Sequence, residues 1–241
     1  MRLVVISDIH ANLEAFRAIL TRIDEIKPDR ILCLGDIVGY GPNPNECVEI
    51  VKKRVDVSLS GNHEYGVLGR TDLRTFSENA RIACEWTREV LSEENFAYMR
   101  ELPVSCVDEG MFLVHSTPLN PERWNYVFTA RDASLQFSGF GESICLLGHS
   151  HVPACFEEGG GICTLSESNP LYLKEGRKYI INIGSVGQPR DYDPRASFGV
   201  IDTEEKKVQL IRISYEIEVV QRKIINRGLP LFLAERLKIG A

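Results

Sequence analysis

An α/β fold with two packed sheets is predicted by three features of the 241-residue chain. Its N-terminal quarter alternates apolar strand and amphipathic helix as β-α-β-α-β, the order of parallel strands joined by right-handed crossovers. After Pro103 the pattern changes to a hairpin and then to a series of short strands, which predicts a second, partly antiparallel sheet packed on the first. No fixed repeat, low-complexity tract or linker interrupts the chain, so residues 1–241 read as one domain.

The first strand runs through Leu3-Val4-Val5-Ile6 to Ser7-Asp8. Asn12 reads as the N-cap of a helix whose apolar residues Leu13, Phe16, Ile19, Leu20, Ile23 and Ile26 recur at three- and four-residue intervals until Pro28. A continuous apolar strand over 30–35 ends in Gly35-Asp36. Asn43-Pro44-Asn45-Glu46 opens the next helix, with Asn43 as cap, Pro44 at the first helical position and Glu46 closing a capping box. A strand over 55–60 ends in Gly61-Asn62-His63-Glu64. Next come a helix with Ile82, Trp86 and Val90 at four-residue spacing and a second helix, capped by Ser92, that bears Phe96 and Met99 and stops before Pro103. Residues 104–108 and 111–115 form a hairpin about Glu109-Gly110. A Pro-containing loop and a short helix fill 117–140, and a strand over 143–147 ends in Gly148-His149-Ser150-His151. Short strands over 154–157, 162–165, 179–183, 197–202 and 207–214 are assigned to the second sheet. Helices over 216–226 and 231–237 follow, separated by Gly228-Leu229-Pro230.

Composition narrows the function classes. The formal charge is −6, and no basic block exceeds Lys52-Lys53-Arg54. Nothing therefore marks a surface for duplex nucleic acid or an anionic membrane. Neither a long apolar run nor a leader pattern is present, so a soluble, cytoplasmic protein is expected. Seven cysteines without a CxxC pair fit neither a disulfide framework nor a zinc ribbon. Most read as small buried hydrophobes, and Cys155 and Cys163, which flank a Gly-rich turn, are expected to stay unpaired.

All five histidines, His10, His63, His115, His149 and His151, closely follow apolar strands and are interleaved with Asp8, Asp36 and Asn62. Ligands of open α/β sheets bind beyond the carboxyl ends of the strands, where Asp8, Asp36 and Asn62 fall. Mixed carboxylate, imidazole and amide donors suit Mn, Fe, Co, Ni or Zn better than Ca, which favours oxygen alone, or structural Zn, which favours thiolates. Asp8-x-His10 and His149-x-His151 have a spacing that, in an extended segment, points both side chains to one side. Each pair either embraces one metal or straddles two.

Asp8-Ile9-His10, Gly35-Asp36, Gly61-Asn62-His63-Glu64, the lone His115 and Gly148-His149-Ser150-His151 together resemble the five ordered motifs of the calcineurin-like metallophosphoesterases, in the small bacterial and archaeal form. The resemblance implies a four-layer α/β/β/α sandwich of two mixed β-sheets and a centre of two divalent ions (Mn, Fe, Ni, Co, Zn or Mg). Carried over by position, Asp8, His10, Asp36 and His151 hold one ion. Asp36, Asn62, His115 and His149 hold the other, with Asp36 bridging. It further implies a hydroxide activated by two metals roughly 3.5–4 Å apart, with Asp36, Asn62 and His63 as the catalytic set. His63 is either the general acid or a ring that packs beside the metals.

Residues 182–190, Asn182-Ile183-Gly184-Ser185 through Arg190, resemble the NPGS-type segment of the small bacterial enzymes, with Ile183 in place of proline. Arg190 either clamps a phosphate or pairs with Asp191 or Asp193. Gly39-Tyr40 stands where eukaryotic-type phosphoprotein phosphatases carry Asp-Arg, which weakens a phosphoprotein reading. Tyr40 either stacks on a substrate ring or covers the core; Asn62 is assigned to the substrate as well as to metal. The expected activity is hydrolysis of small phosphorylated or nucleotide substrates, as a phosphatase or phosphodiesterase. Phosphoprotein or dinucleoside polyphosphate hydrolysis are the alternatives, and a non-catalytic metal-binding scaffold is the competing class.

Overall fold

Strand β1 (Arg2–Ile6) is buried on both faces, Leu3 and Val5 on one and Val4 and Ile6 on the other. A strand so covered belongs in the middle of a sheet between two layers. In the computed structural model, which describes residues 1–241, β1 lies there. Helix α1 (Leu13–Ile26) begins at Asn12, whose side chain accepts the Ala15 N–H at 3.1 Å. It returns the chain to β2 (Arg30–Cys33), parallel to β1 with Val4 opposite Ile31. Helix α2 (Pro44–Arg54) leads to β3 (Val57–Ser58), parallel to β2. Asn43 does not close a capping box: its N–H already bonds Ala11 O, and its amide instead donates to Glu46 Oε1 at 2.8 Å.

The short α3 (Asn62–Val67) is followed by α4 (Glu78–Val90) and α5 (Glu93–Arg100). The buried face of α4 is Ala80, Ala83, Cys84 and Thr87, not the larger Ile82, Trp86 and Val90. Small residues face inward because α4 packs closely against α3. Strands β4 (Ser105–Asp108) and β5 (Met111–Val114) form the expected hairpin, with Glu109 and Gly110 both at positive φ. That is the twist a two-residue hairpin loop requires. Then follow α6 (Ala130–Gln136), β6 (Ile144–Leu147), β7 (Ala154–Glu157), β8 (Gly161–Cys163), β9 (Leu171–Tyr172) and β10 (Tyr179–Asn182). The chain continues through β11 (Ala196–Asp202), β12 (Lys207–Ile213), α7 (Ile217–Asn226) and α8 (Leu231–Ile239).

The two sheets have strand orders β3-β2-β1-β11-β12-β9 and β4-β5-β6-β10-β7-β8. The second sheet therefore starts at the hairpin, and the strands expected over 197–202 and 207–214 do not belong to it. They return as β11 and β12 to the open side of β1, antiparallel, with Val4 opposite Val200. Strand β9, unmarked in the sequence pattern, pairs with β12 through two residues. Cys155 and Cys163 stand opposite each other in β7–β8 as free thiols.

Three apolar layers define a four-layer α/β/β/α sandwich. Leu3, Val5, Leu32 and Leu34 meet Leu113, Leu146 and Ile181 between the sheets. Val4, Ile6 and Cys33 meet Phe16 and Ile19 of α1 and Val48 of α2. Cys145, Leu147 and Ile180 meet Ala133 and Phe137 beside α6. Each such large side chain contributes about 1.5–3 kcal/mol on burial. The α7–α8 pair packs through Val220, Ile224 and Leu237 on Ala83 of α4. No helix is long and apolar enough to cross a membrane. The carboxyl ends of β1, β2 and β3 converge with those of β5 and β6, which brings Asp8, Asp36 and Asn62 to His115, His149 and His151.

Candidate metal centre

Five of the expected ligands, Asp8, His10, Asp36, His149 and His151, have φ between 48° and 66°. The two D/H-x-H segments are thus left-handed turns, not extended as their spacing suggested. Such φ values are costly for non-glycine residues and persist where surrounding structure over-determines them. Part of that structure is glycine. A Cβ at Gly61 would lie 2.1 Å from Asp36 Oδ1, and one at Gly148 would lie 2.0 Å from Ser7 Oγ.

Asp36 stands between two groups of donor atoms. Asp8, His10, Asp36 and His151 each offer an atom within 4.8 Å of the others, and Asp36, His115 and His149 do the same. Thus Asp8 and His10 serve one group, whereas His149 and His151 straddle the two. His10 Nε2 lies 3.5 Å and His115 Nε2 3.2 Å from the same oxygen, Asp36 Oδ2. Asp36 Oδ1 is engaged elsewhere, accepting the His63 backbone N–H at 2.9 Å. Asn62, the first residue of α3, lines the same cavity as His149.

The donor atoms fit divalent cations. Asp36 Oδ2, His115 Nε2 and Asn62 Oδ1 are buried with no hydrogen-bond partner, which costs about 1–3 kcal/mol each if nothing binds there. His10 Nδ1 lies 3.0 Å from Val38 O, His115 Nδ1 2.9 Å from Leu34 O and His151 Nδ1 2.6 Å from Gln188 O. Each Nδ1–H donates to its carbonyl; the Nε2 of the neutral His10 and His151 rings therefore turns a lone pair inward, whereas that of His115 faces the Asp36 carboxylate. Two such lone pairs, on His10 and His151, face each other at 3.0 Å, an arrangement that a cation between them relieves. His149 is reversed: its Nε2 contacts Trp124 O at 2.8 Å, which leaves Nδ1 as its free donor atom.

Burial pulls His149 down to about 3 and His63 to about 4, and lowers His10 and His151 as well. These rings are neutral near pH 7, the form that binds metal. Burial also opposes charge on His115, but Asp36, Asp8 and Glu64 outweigh it and raise the ring to about 9. Burial likewise opposes charge on Asp36, yet the facing His115 holds its carboxyl well below the usual range.

Sequence reading passed over Glu64 as a functional residue. Its carboxylate accepts the N–H groups of Asp36 (2.9 Å), Val38 (3.0 Å) and Gly61 (2.7 Å), tying the loop after β2 to the loop after β3. Its place three residues after Gly61 is a capping signal that could have found it. The 182–190 segment is a clip between the sheets. Asn182 donates to Gly148 O, Ser185 Oγ to Asp8 O, and Gly187 N to Asp8 O.

Around the cavity mouth, Arg190 pairs with neither Asp191 nor Asp193, which bind Arg212 and Arg195. Its guanidinium lies 5.6 Å from the centre of the Tyr40 ring. Tyr40 packs 4.6 Å from the His10 ring and 4.3 Å from the His63 ring. Arg123, Trp124 and Arg236 line the same cavity; no local pattern announces them.

A family model for the calcineurin-like phosphoesterase superfamily domain matches residues 1–206. An uncharacterized protein of Methanocaldococcus jannaschii is 41% identical over 243 residues, covering 99% of this chain and 98% of that one. The crystal structure of a metallophosphoesterase from Sphaerobacter thermophilus aligns with a TM-score of 0.90 at 40% identity, over 100% of this chain and 99% of that one. A hypothetical protein from Pyrococcus horikoshii OT3 gives 0.82 at 22% identity over 100% and 98%, a likeness of fold.

Proposed function

The chain belongs to the calcineurin-like phosphoesterase superfamily, and from that premise we propose that it hydrolyses small phosphate esters with two divalent ions. The observation that carries this reading is Asp36 Oδ2, shared between two groups of buried donor atoms and otherwise unpaired. Asp8, His10, Asp36 and His151 would hold one ion, and Asp36, Asn62, His115 and His149 the other. When bound, the ions supply Lewis-acid stabilisation of phosphoryl oxygens and an oxygen nucleophile at neutral pH. A scaffold that only docks partners would gain nothing from three unpaired buried polar atoms.

His63 lines the cavity, and its Nδ1 lies 3.4 Å from Cys84 Sγ, which leaves Nε2 to face the substrate. The free ring is neutral. The negative charge of an arriving phosphate favours its protonated form, so the proton for the leaving oxygen is taken up with the substrate. Arg190 is held by Gln188 Oε1 at 2.8 Å and lines the same cavity as His63. Tyr40 walls the side of the site between His63 and Arg190.

The test is hydrolysis of aryl phosphomonoesters and phosphodiesters by protein loaded with Mn, Fe, Ni, Mg or Zn. Turnover with at least one metal is expected, and its absence across the panel overturns the reading. In the same assay His63→Ala should keep its metal and lose about 10²-fold or more in kcat. The loss should be larger for alkyl than for nitrophenyl leaving groups; equal losses would remove the acid role.

A further inference from the structure

The cavity above the candidate metal residues carries more positive charge than one phosphoryl group needs. It encloses about 500 Å³, and its 14 lining residues include three arginines, Arg123, Arg190 and Arg236, and no carboxylate. In a chain of net charge −6, this is a local reversal. None of the three pairs with an aspartate or glutamate, and Asp191 and Asp193, which follow Arg190 in the chain, are taken by Arg212 and Arg195.

Two of these arginines are built into the wall. Arg190 is half-buried, and its Nε has no hydrogen-bond partner. Arg236, also half-buried on α8, gives its Nε to Ala241 O at 2.5 Å; its terminal nitrogens have no protein acceptor. Both side chains line this one cavity; burial, and next the charge of Arg190, lower Arg236 to about 10. Two cationic side chains that residues 46 positions apart contribute to a wall without a carboxylate make that wall complementary to an anion. The buried Nε1 of Trp124, a further donor on the same cavity, is also unpaired.

We propose that Arg190 and Arg236 form an anion subsite beside the metal centre, so that the substrate carries a second phosphoryl group besides the one hydrolysed. This rests on the reading that the metal residues receive the scissile group. The chemistry specified is a small compound with two phosphoryl groups, either joined directly or separated on one skeleton.

Binding of non-hydrolysable probes separates this proposal from catalysis. Metal-loaded protein, with metal content checked before and after, is titrated calorimetrically with methylphosphonate, methylenediphosphonate and propane-1,3-diphosphonate. One diphosphonate should bind at least about 10-fold more tightly than methylphosphonate, and which one does so distinguishes adjacent from separated groups. Arg236→Gln should cut that preference by about 10–100-fold. Absence of a preference in the wild type, or equal weakening of all three probes by Arg236→Gln, overturns the subsite. If Arg236→Gln fails to fold, Arg236→Lys, which keeps the charge but loses the planar fork, is read by the same ratio and should lower it. A protein with the preference but no hydrolysis of any ester would retain the subsite and lose the hydrolase reading. An active hydrolase without the preference would do the reverse.

Discussion

Asp36→Asn is expected to lower kcat on aryl phosphoesters by at least about 10³-fold, the range seen when one member of an interdependent catalytic set is removed. It should also lower metal content below two ions per chain. An asparagine can keep the His63 N–H bond through its remaining oxygen, as Asp36 Oδ1 does now. Its NH₂ group then occupies the place of Oδ2, facing the nitrogens of His10 and His115. A donor there satisfies the lone pair of His10, but the protonated His115 loses the carboxylate that faces it. The metal-free variant should therefore melt lower than metal-free wild type, and the holo form loses its activity. Elemental analysis, steady-state kinetics and paired melting curves check these three outcomes. Two bound ions with kcat within about tenfold of wild type would remove Asp36 from the shared position.

Glu64→Ala is expected to destabilise the metal-free protein by about 3–9 kcal/mol, because it strands three buried N–H donors at about 1–3 kcal/mol each. For a chain of this size that lowers the melting temperature by roughly 10 °C or more. The three donors belong to Asp36, Val38 and Gly61, so the loops carrying Asp36 and Asn62 should loosen together and metal affinity should fall. Glu64→Gln retains one acceptor oxygen but aims an NH₂ at an N–H, and its loss should be intermediate. Chelator-treated samples separate this effect from metal loss. A melting temperature within about 2 °C of wild type in both variants would show that water replaces the carboxylate at little cost.

Local patterns were legible where one segment decides its own structure. The α1 stripe and its Asn12 cap, the Glu109-Gly110 turn and the abrupt ends of β1, β2, β5 and β6 in Asp8, Asp36, His115 and His149 depend on neighbours a few residues away. The inward face of α4 was not legible, because it is set by the layers packed on either side: Ala83 meets Val220 and Ile224 of α7, and Cys84 joins the core beneath the first sheet.

The order of residues settles which residue types follow each strand and that those strands are apolar. It could not determine which sheet a strand joins, because β11, apolar on both faces, satisfies the burial rule in either one. Only pairing with β1, almost two hundred residues earlier, decides that. The same holds within the site. The inward lone pairs of His10 and His151 are set by carbonyls 28 and 37 positions away. The left-handed turns that aim Asp8 and His149 depend on close approach between the sheets, across which the His149 N–H meets the Asp8 carboxylate at 3.1 Å. Arg236 reaches the cavity because α8 packs there. Such contacts arise from shape and burial over the whole chain, and no short-range pattern encodes them.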